Sequence, residues 1–232
     1  MLLSLMAAGC ASSDNKEAAA ADDPLEPMNR FFFSFNETLD RHAALPAATF
    51  YVSTVPGPLR TGVHNFLSNL DGPVDFVNSM LQFHLEEAGG ALGRFGINST
   101  LGVGGIFDVA TDWGMPEEKE DFGQTLGVYG LGQGPYLVLP LRGPSAVRDF
   151  AGSYIDGYFS PLYYVRYSGR QYVGLIRSSL GSVDNRSANI MTFREIERSS
   201  VDFYATMRDF YRQRRDNAIR NGKPDMETLP DL

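Results

Sequence analysis

Pro56-Gly57-Pro58-Leu59-Arg60-Thr61-Gly62-Val63-His64-Asn65-Phe66-Leu67-Ser68-Asn69-Leu70-Asp71-Gly72-Pro73-Val74 is the stretch that decides the fold class. Leu59, Val63, Phe66 and Leu70 recur at i, i+4, i+7 and i+11, which places them on one face of an α-helix. Pro58 suits a first turn, where a missing N–H costs nothing. Asp71-Gly72-Pro73 ends that helix and opens another with the stripe Val74, Val77, Leu81 and Leu85. Upstream, Met28, Phe32, Phe35 and Leu39 repeat the spacing after Pro27. Downstream, Ala88, Leu92 and Phe95 mark a further short helix. Ile196, Ser200, Tyr204, Met207 and Tyr211 mark a long charged one, Arg194 to Arg220, which Gly222 and Pro224 terminate. Strand-like alternation is scarce. The chain reads as all-α, with helices near 28–40, 58–70, 73–86 and 195–219.

Gly102 to Pro161 departs from this pattern. It is rich in Gly and Pro, yet it carries Phe107, Tyr129, Tyr136, Leu137, Val138 and Leu139, unlike a flexible linker. Segment 127–145 is expected to be extended or irregular and only partly exposed. Its apolar side chains need a protein interior or lipid.

The sole cysteine, Cys10, follows the short apolar run Leu3-Ser4-Leu5-Met6-Ala7-Ala8-Gly9. An apolar run, small residues and then Cys is the pattern of a bacterial lipoprotein signal, with residues 1–9 removed and Cys10 acylated. Acyl chains contribute about 0.8 kcal/mol per buried CH₂, so several of them anchor a protein firmly. Ala11, in place of an Asp, favours the outer membrane. The run is shorter than the usual h-region and no Lys or Arg precedes it; a start codon further upstream accounts for both. Residues 10–27, poor in large apolar side chains, read as a lipidated flexible tether, 28–222 as one helical domain, and 223–232 as a disordered acidic tail. The net charge of −8 argues against nucleic acid, which demands Lys and Arg. No stretch approaches the roughly 20 apolar residues of a spanning helix.

Catalytic chemistry is hard to find. His42, His64 and His84 lie on separate expected helices without metal-ligand spacing. No G-x-S-x-G elbow, P-loop or H-E-x-x-H occurs. Glu117-Glu118 and Glu120-Asp121 read as solvated charge in a polar connection. No enzyme, cofactor or metal site is expected. Phe31-Phe32-Phe33-x-Phe35 puts bulk on more than one face of its helix, and Tyr154, Tyr158, Tyr163, Tyr164 and Tyr167 cluster near Pro161. Tyr favours membrane–water interfaces, although packing on a core would use the same residues.

Asp23-Pro24-Leu25-Glu26-Pro27-Met28-Asn29-Arg30, with Phe35-Asn36 and Leu39-Asp40, resembles the opening signature of the VacJ/MlaA outer-membrane lipoproteins. So do Arg94-Phe95-Gly96-Ile97-Asn98 through Gly102-Val103-Gly104-Gly105-Ile106-Phe107-Asp108, Glu120-Asp121-Phe122-Gly123-Gln124-Thr125-Leu126-Gly127, Gly134-Pro135-Tyr136-Leu137-Val138-Leu139-Pro140 and Gly143-Pro144-Ser145-x-x-Arg148-Asp149. The resemblance implies a helical ring within the outer membrane around an amphipathic channel. It also implies removal of phospholipids that have strayed into the outer leaflet, their delivery to a soluble periplasmic lipid carrier, and a trimeric porin as neighbour. In that picture Arg142 is the lipid-path candidate. It is the lone cation between Tyr136 and Gly143, and a guanidinium pairs well with phosphate; an ordinary loop charge is the alternative. The rival functions are a non-catalytic envelope scaffold and a lipid-cleaving esterase, the latter lacking any nucleophile motif.

Overall fold

The computed structural model describes residues 23–165 and 169–222; Cys10 and the 223–232 tail lie outside them. Helix α1 (Glu26–Leu39) runs through a π-helical turn at Asp40–Ala44 into α2 (Leu45–Thr54). Pro46 explains the widened turn: it has no N–H for the carbonyl four residues back, and its ring crowds that oxygen. Then come α3 (Gly57–Asn69), α4 (Gly72–Leu81), α5 (Leu85–Thr100), the short α6 (Val109–Asp112) and α7 (Phe122–Val128). Strands β1 (Tyr136–Leu139) and β2 (Gly143–Ala146) form an antiparallel hairpin, with Tyr136 opposite Ala146 and Leu139 opposite Gly143. Helices α8 (Val147–Phe159), α9 (Arg170–Ala188), α10 (Ile190–Ser199) and α11 (Phe203–Ile219) complete the described fold.

The all-α expectation holds, with the hairpin falling inside the segment expected to be irregular. Three boundaries differ. The fold begins at Asp23, within the expected tether, because that side chain is fully buried. The 73–86 helix stops at Leu81, and the left-handed Phe83 (φ 61°) turns the chain before α5, so Leu85 starts the next helix. The expected 195–219 helix is two helices. Ser200 is extended, and Asp202 caps α11 by accepting from the Ala205 N–H at 3.1 Å. Helices α2, α8 and α9 were not anticipated.

Packed elements close a ring: α1 on the hairpin, the hairpin on α8, α8 and α7 on α4, α4 on α5, α5 on α3, and α3 and α2 on α9. The π turn returns the chain from α2 to α1. Helix α9 is pinned along this wall by three pairs. Arg177 meets Asp71 at 2.5 Å, Asp184 accepts from His64 Nδ1 at 2.9 Å, and Arg186 holds Asp40 bidentately at 2.7 and 2.9 Å.

A closed ring of helices has little interior, and the burial pattern reflects that. The buried apolar set is small: Tyr136, Val138, Tyr204 and Met207 with a few alanines. Phe32, Phe33 and Tyr211 pack against its centre. Buried polar residues outnumber them and include Asp23, Asn29, Asp75, Asn78, Gln82, Glu120, Gln124, Thr125 and Arg148. Many large apolar side chains are instead exposed: Phe31 is 68% exposed, Phe50 69% and Phe83 77%. The Phe31–Phe35 run divides between both roles, with Phe32 and Phe33 inward and Phe31 and Phe35 outward.

Asn29 is completely buried and holds three partners. Its Nδ2 donates to Asp23 Oδ1 and to the Tyr136 carbonyl, both at 2.9 Å, and its Oδ1 accepts from the Val138 N–H at 2.9 Å. Replacing it by Ala strands a buried carboxylate and two strand groups, a cost of about 3 kcal/mol or more. Asn29→Ala is therefore expected to lower Tm in detergent by roughly 5–12 °C. Phe31→Ala, on the outward face of the same helix, shifts it little. Equal shifts in the two variants contradict this account.

Candidate functional site

The site is built outward from α1. Asn29 grips β1 around Leu137, and Asn36 grips the hairpin turn. Asn36 Nδ2 donates to the Leu139 carbonyl at 2.9 Å and its Oδ1 accepts from the Leu141 N–H at 2.8 Å. Seven helical residues advance about 10.5 Å and three strand residues about 10 Å, so the two amides fall in step with the strand. The clamped turn takes left-handed backbone at Leu141 (φ 66°) and Gly143 (φ 86°), which brings Arg142 to the centre of the ring.

The other side is fixed by close helix approach. A Cβ on Gly123 would lie 2.5 Å from Arg215 Nη2, and one on Gly152 would lie 2.5 Å from the Gly123 nitrogen. These glycines let α7 and α8 meet at backbone distance and leave room for the Arg215 guanidinium of α11. Arg215 then joins Asp121 at 2.5 and 2.6 Å and Asp149 at 3.0 Å. Tyr211 donates its hydroxyl to the same Asp149.

Two cavities open onto the centre, and Arg142 lines both. The first, about 490 Å³, is polar. Asp75 from α4, Glu120 and Gln124 from the α7 region, Ser153 and Asp156 from α8, and Arg177 from α9 contribute to its walls. The second, about 360 Å³, is amphipathic. It mixes Leu39, Leu45, Leu141, Phe193 and Met207 with Asp40, Arg41, Arg186 and Glu197.

A hydrogen-bonded chain holds the acids of the first cavity. Asp156 Oδ1 accepts from Asn78 Nδ2 and the Phe122 N–H, both at 2.9 Å. Thr125 Oγ1 donates to Asn78 Oδ1 at 3.0 Å and accepts from Gln82 Nε2 at 3.2 Å. Gln82 Nε2 also reaches Glu120 Oε2 at 2.7 Å, and Asp75 Oδ1 accepts from the Glu120 N–H at 3.0 Å. Burial pushes Asp75 and Glu120 up to about 7 and Asp156 up to about 6. Asp108 shows the opposite case. Although burial opposes it, hydrogen bonds from Thr111, Asn98 and Arg94 hold Asp108 down at about 2. Arg94 grips that carboxylate at 2.9 and 3.1 Å, closing the Gly-rich loop after α5. The densest sequence motif is thus a structural knot away from the central cavity.

Arg142, the residue singled out from sequence, is an exposed side chain of the cavity wall, and Ser153 Oγ at 3.0 Å is its side-chain partner. Cys10 lies outside the described residues. Asp75, Glu120 and Asp156 escaped sequence reading. Glu120-Asp121 was expected to be solvated charge, but Glu120 is buried and Asp121 both caps α7 and binds Arg215. The signal available was the DFGQ context: an acid before a glycine-bearing helix start is a cap as readily as a loop charge. Among the described residues no group of three His, Cys, Asp or Glu could hold a metal ion, and no helix is long and apolar enough to cross a membrane.

Packed elements that close on themselves around a polar and an amphipathic cavity define a helical ring with a cavity-bearing middle. The family model for the MlaA lipoprotein matches residues 21–218, and the chain belongs to that family. It is 32% identical to the intermembrane phospholipid transport system lipoprotein MlaA of Haemophilus influenzae, covering 100% of this chain and 94% of the relative. It is 35% identical to the protein of that name in Escherichia coli, covering 93% and 85% respectively. A solved structure reported as the structural basis for maintenance of bacterial outer membrane lipid asymmetry superposes with a TM-score of 0.77 at 33% identity, covering 85% of this chain and 98% of the other. The family is one of transport lipoproteins, and its members with that name act between membranes.

The raised carboxylates carry a pH signature. A folded state that keeps protons above the ordinary carboxylate range has a stability contribution that is full below that range and is lost as pH rises through 6–7. Asp75→Asn preserves the acceptor for the Glu120 N–H and removes the titration. Measured by thermal melting in detergent, the variant is expected to gain on the native chain by on the order of 2 kcal/mol between pH 5 and pH 8. A difference independent of pH contradicts the assignment.

Proposed function

We propose that this protein is an outer-membrane lipoprotein that draws mislocalised phospholipids from the outer leaflet through the centre of its ring and passes them to a soluble periplasmic lipid carrier. Acylated Cys10 anchors it, a trimeric porin stands beside it, and it catalyses no reaction. The observation that carries this reading is a closed ring of packed elements with a polar and an amphipathic cavity that share Arg142, and with many large apolar side chains left exposed. Phe31, Phe50, Leu59, Phe83 and Leu92 are exposed, and acyl chains are a suitable solvent for such side chains. Moving a charged headgroup through a dry interior costs several kcal/mol, and a path lined by Asp75, Glu120, Asp156, Arg142 and Arg177 removes most of that cost. Irregular backbone such as 129–135 is tolerated at membrane depth where it borders a cavity. The family membership and the names of the relatives support the same direction.

Loss of the protein is expected to raise outer-leaflet phospholipid in an asymmetry assay, and Arg142→Glu at normal protein level is expected to reproduce part of that rise. Unchanged outer-leaflet phospholipid in the deletion strain would favour a scaffold role. Cys10→Ser is expected to release the domain or leave an unprocessed precursor. Intact mass of the native protein extracted from membranes decides the anchor, since a free thiol without acyl mass contradicts it.

A further inference from the structure

The polar cavity is divided by charge. On one wall stands Arg142, whose guanidinium meets a neutral hydroxyl, Ser153 Oγ, rather than a carboxylate. The cavity's other cations are already engaged: Arg177 by Asp71 at 2.5 Å, and Lys119 by Glu117 at 2.9 Å and Ser68 Oγ at 2.7 Å. On the facing walls Asp75, Glu120 and Asp156 are each anchored through one oxygen, and no donor among the described residues meets the second oxygen of any of them. Gln124, 4% exposed and part of the same wall, donates through Nε2 to the Lys119 carbonyl and to Asp121, which leaves its Oε1 with no donor. A buried acceptor without a donor is costly, and three acids gathered in one cavity repel one another. A cationic donor supplied from outside relieves both. Ser153 and Asp156 sit three residues apart on α8, neighbours on one helix face. The guanidinium and the acids therefore lie close enough for a single small group to touch both.

Building on the transport reading above, we propose that this cavity is a selective site for zwitterionic, amine-bearing phospholipid headgroups. The phosphate faces Arg142 and the ammonium faces Asp156, Glu120 and Asp75. A guanidinium is the side chain best matched to a phosphate. A primary ammonium carries three N–H donors, and the wall offers it the free oxygens of three acids. An anionic headgroup such as glycerol phosphate satisfies Arg142 alone and sets its hydroxyls against carboxylates that remain uncompensated. The cavity, at about 490 Å³, holds a headgroup and not the acyl chains. The neighbouring amphipathic cavity, sharing Arg142, is the place for part of the tails.

The test uses the full chain in detergent with two soluble short-chain probes, dihexanoyl phosphatidylethanolamine and dihexanoyl phosphatidylglycerol, and reads Kd by calorimetry. The native chain is expected to bind the ethanolamine lipid about tenfold more tightly. Asp156→Asn keeps the oxygen that accepts from Asn78 and Phe122 and replaces the free oxygen by an amide. It is expected to abolish that preference by weakening the ethanolamine lipid while leaving the glycerol lipid within twofold. Glu120→Gln, checked by its melting curve, gives the same direction independently if Asp156→Asn folds poorly. Arg142→Gln weakens both lipids alike. A native chain that binds both equally, or a preference that survives both acid replacements, overturns the headgroup assignment and leaves the transport reading intact. Failure of the native chain to bind either lipid overturns the transport reading and the assignment with it.

Discussion

A closed ring of helices leaves room for only a small apolar core, and much of this molecule answers to that constraint. Apolar burial supplies most of the stability of ordinary domains, yet here the buried apolar set is little more than Tyr136, Val138, Tyr204 and Met207. Directed polar contacts take over. Asn29 and Asn36 clamp the hairpin to α1, Arg215 ties α11 to α7 and α8, and Arg177, Asp184 and Arg186 pin α9 to its neighbours. Such contacts are worth little when exposed, but they are costly to break once buried, because the abandoned partner is left without water. They also specify register in a way that apolar packing does not.

The same constraint links structure to role. Polar groups of the ring line one cavity, polar and apolar groups together line the other, and large apolar groups with no core to enter are exposed. Arg142 sits where the two cavities meet because Asn36 fixes the turn that carries it. Its position follows from the length match between two helical turns and three strand residues. The acids opposite are members of the network that joins α4, α7 and α8, and one oxygen of each serves the fold while the other is left to the cavity. Structural and functional polarity are therefore the same atoms viewed from two sides.

Much of the helical framework is legible in the sequence, since the Leu59–Leu70 and Met28–Leu39 stripes have helical spacing, Gly57-Pro58 and Gly72-Pro73 flank the first, and Pro27 precedes the second. The stripes were misleading about direction. An apolar stripe conventionally faces a core, but Phe35, Leu59 and Phe66 are exposed here. Periodicity reports a face and not the solvent beyond it. Helices α8 and α9 were missed because Gly152, Gly157, Gly174 and Gly181 lower helix propensity, and Gly152 is present for its contact with Gly123 rather than for flexibility. The break at Ser200 was hidden by an uninterrupted 3.6-residue pattern; the local signal was Asp202 three residues ahead of Ala205, a cap in mid-stripe. Among site residues Arg142 was visible as a lone cation in an apolar run. Asp75, Glu120 and Asp156 were not, because their burial depends on contacts among α4, α7 and α8 that no local pattern records.

The proposed function requires a molecule that is wet at its middle and faces lipid outside. The chain has one cysteine, so a single introduced thiol reads this directly in membranes. Gly157 lines the polar cavity with no atom within 4 Å of an added Cβ, and Phe50 is an outward apolar side chain, 69% exposed. Labelling with a charged, water-soluble thiol reagent is expected to modify Gly157→Cys readily and to leave Phe50→Cys largely unmodified until detergent is added. Rapid labelling of Phe50→Cys together with protection of Gly157→Cys would contradict the account.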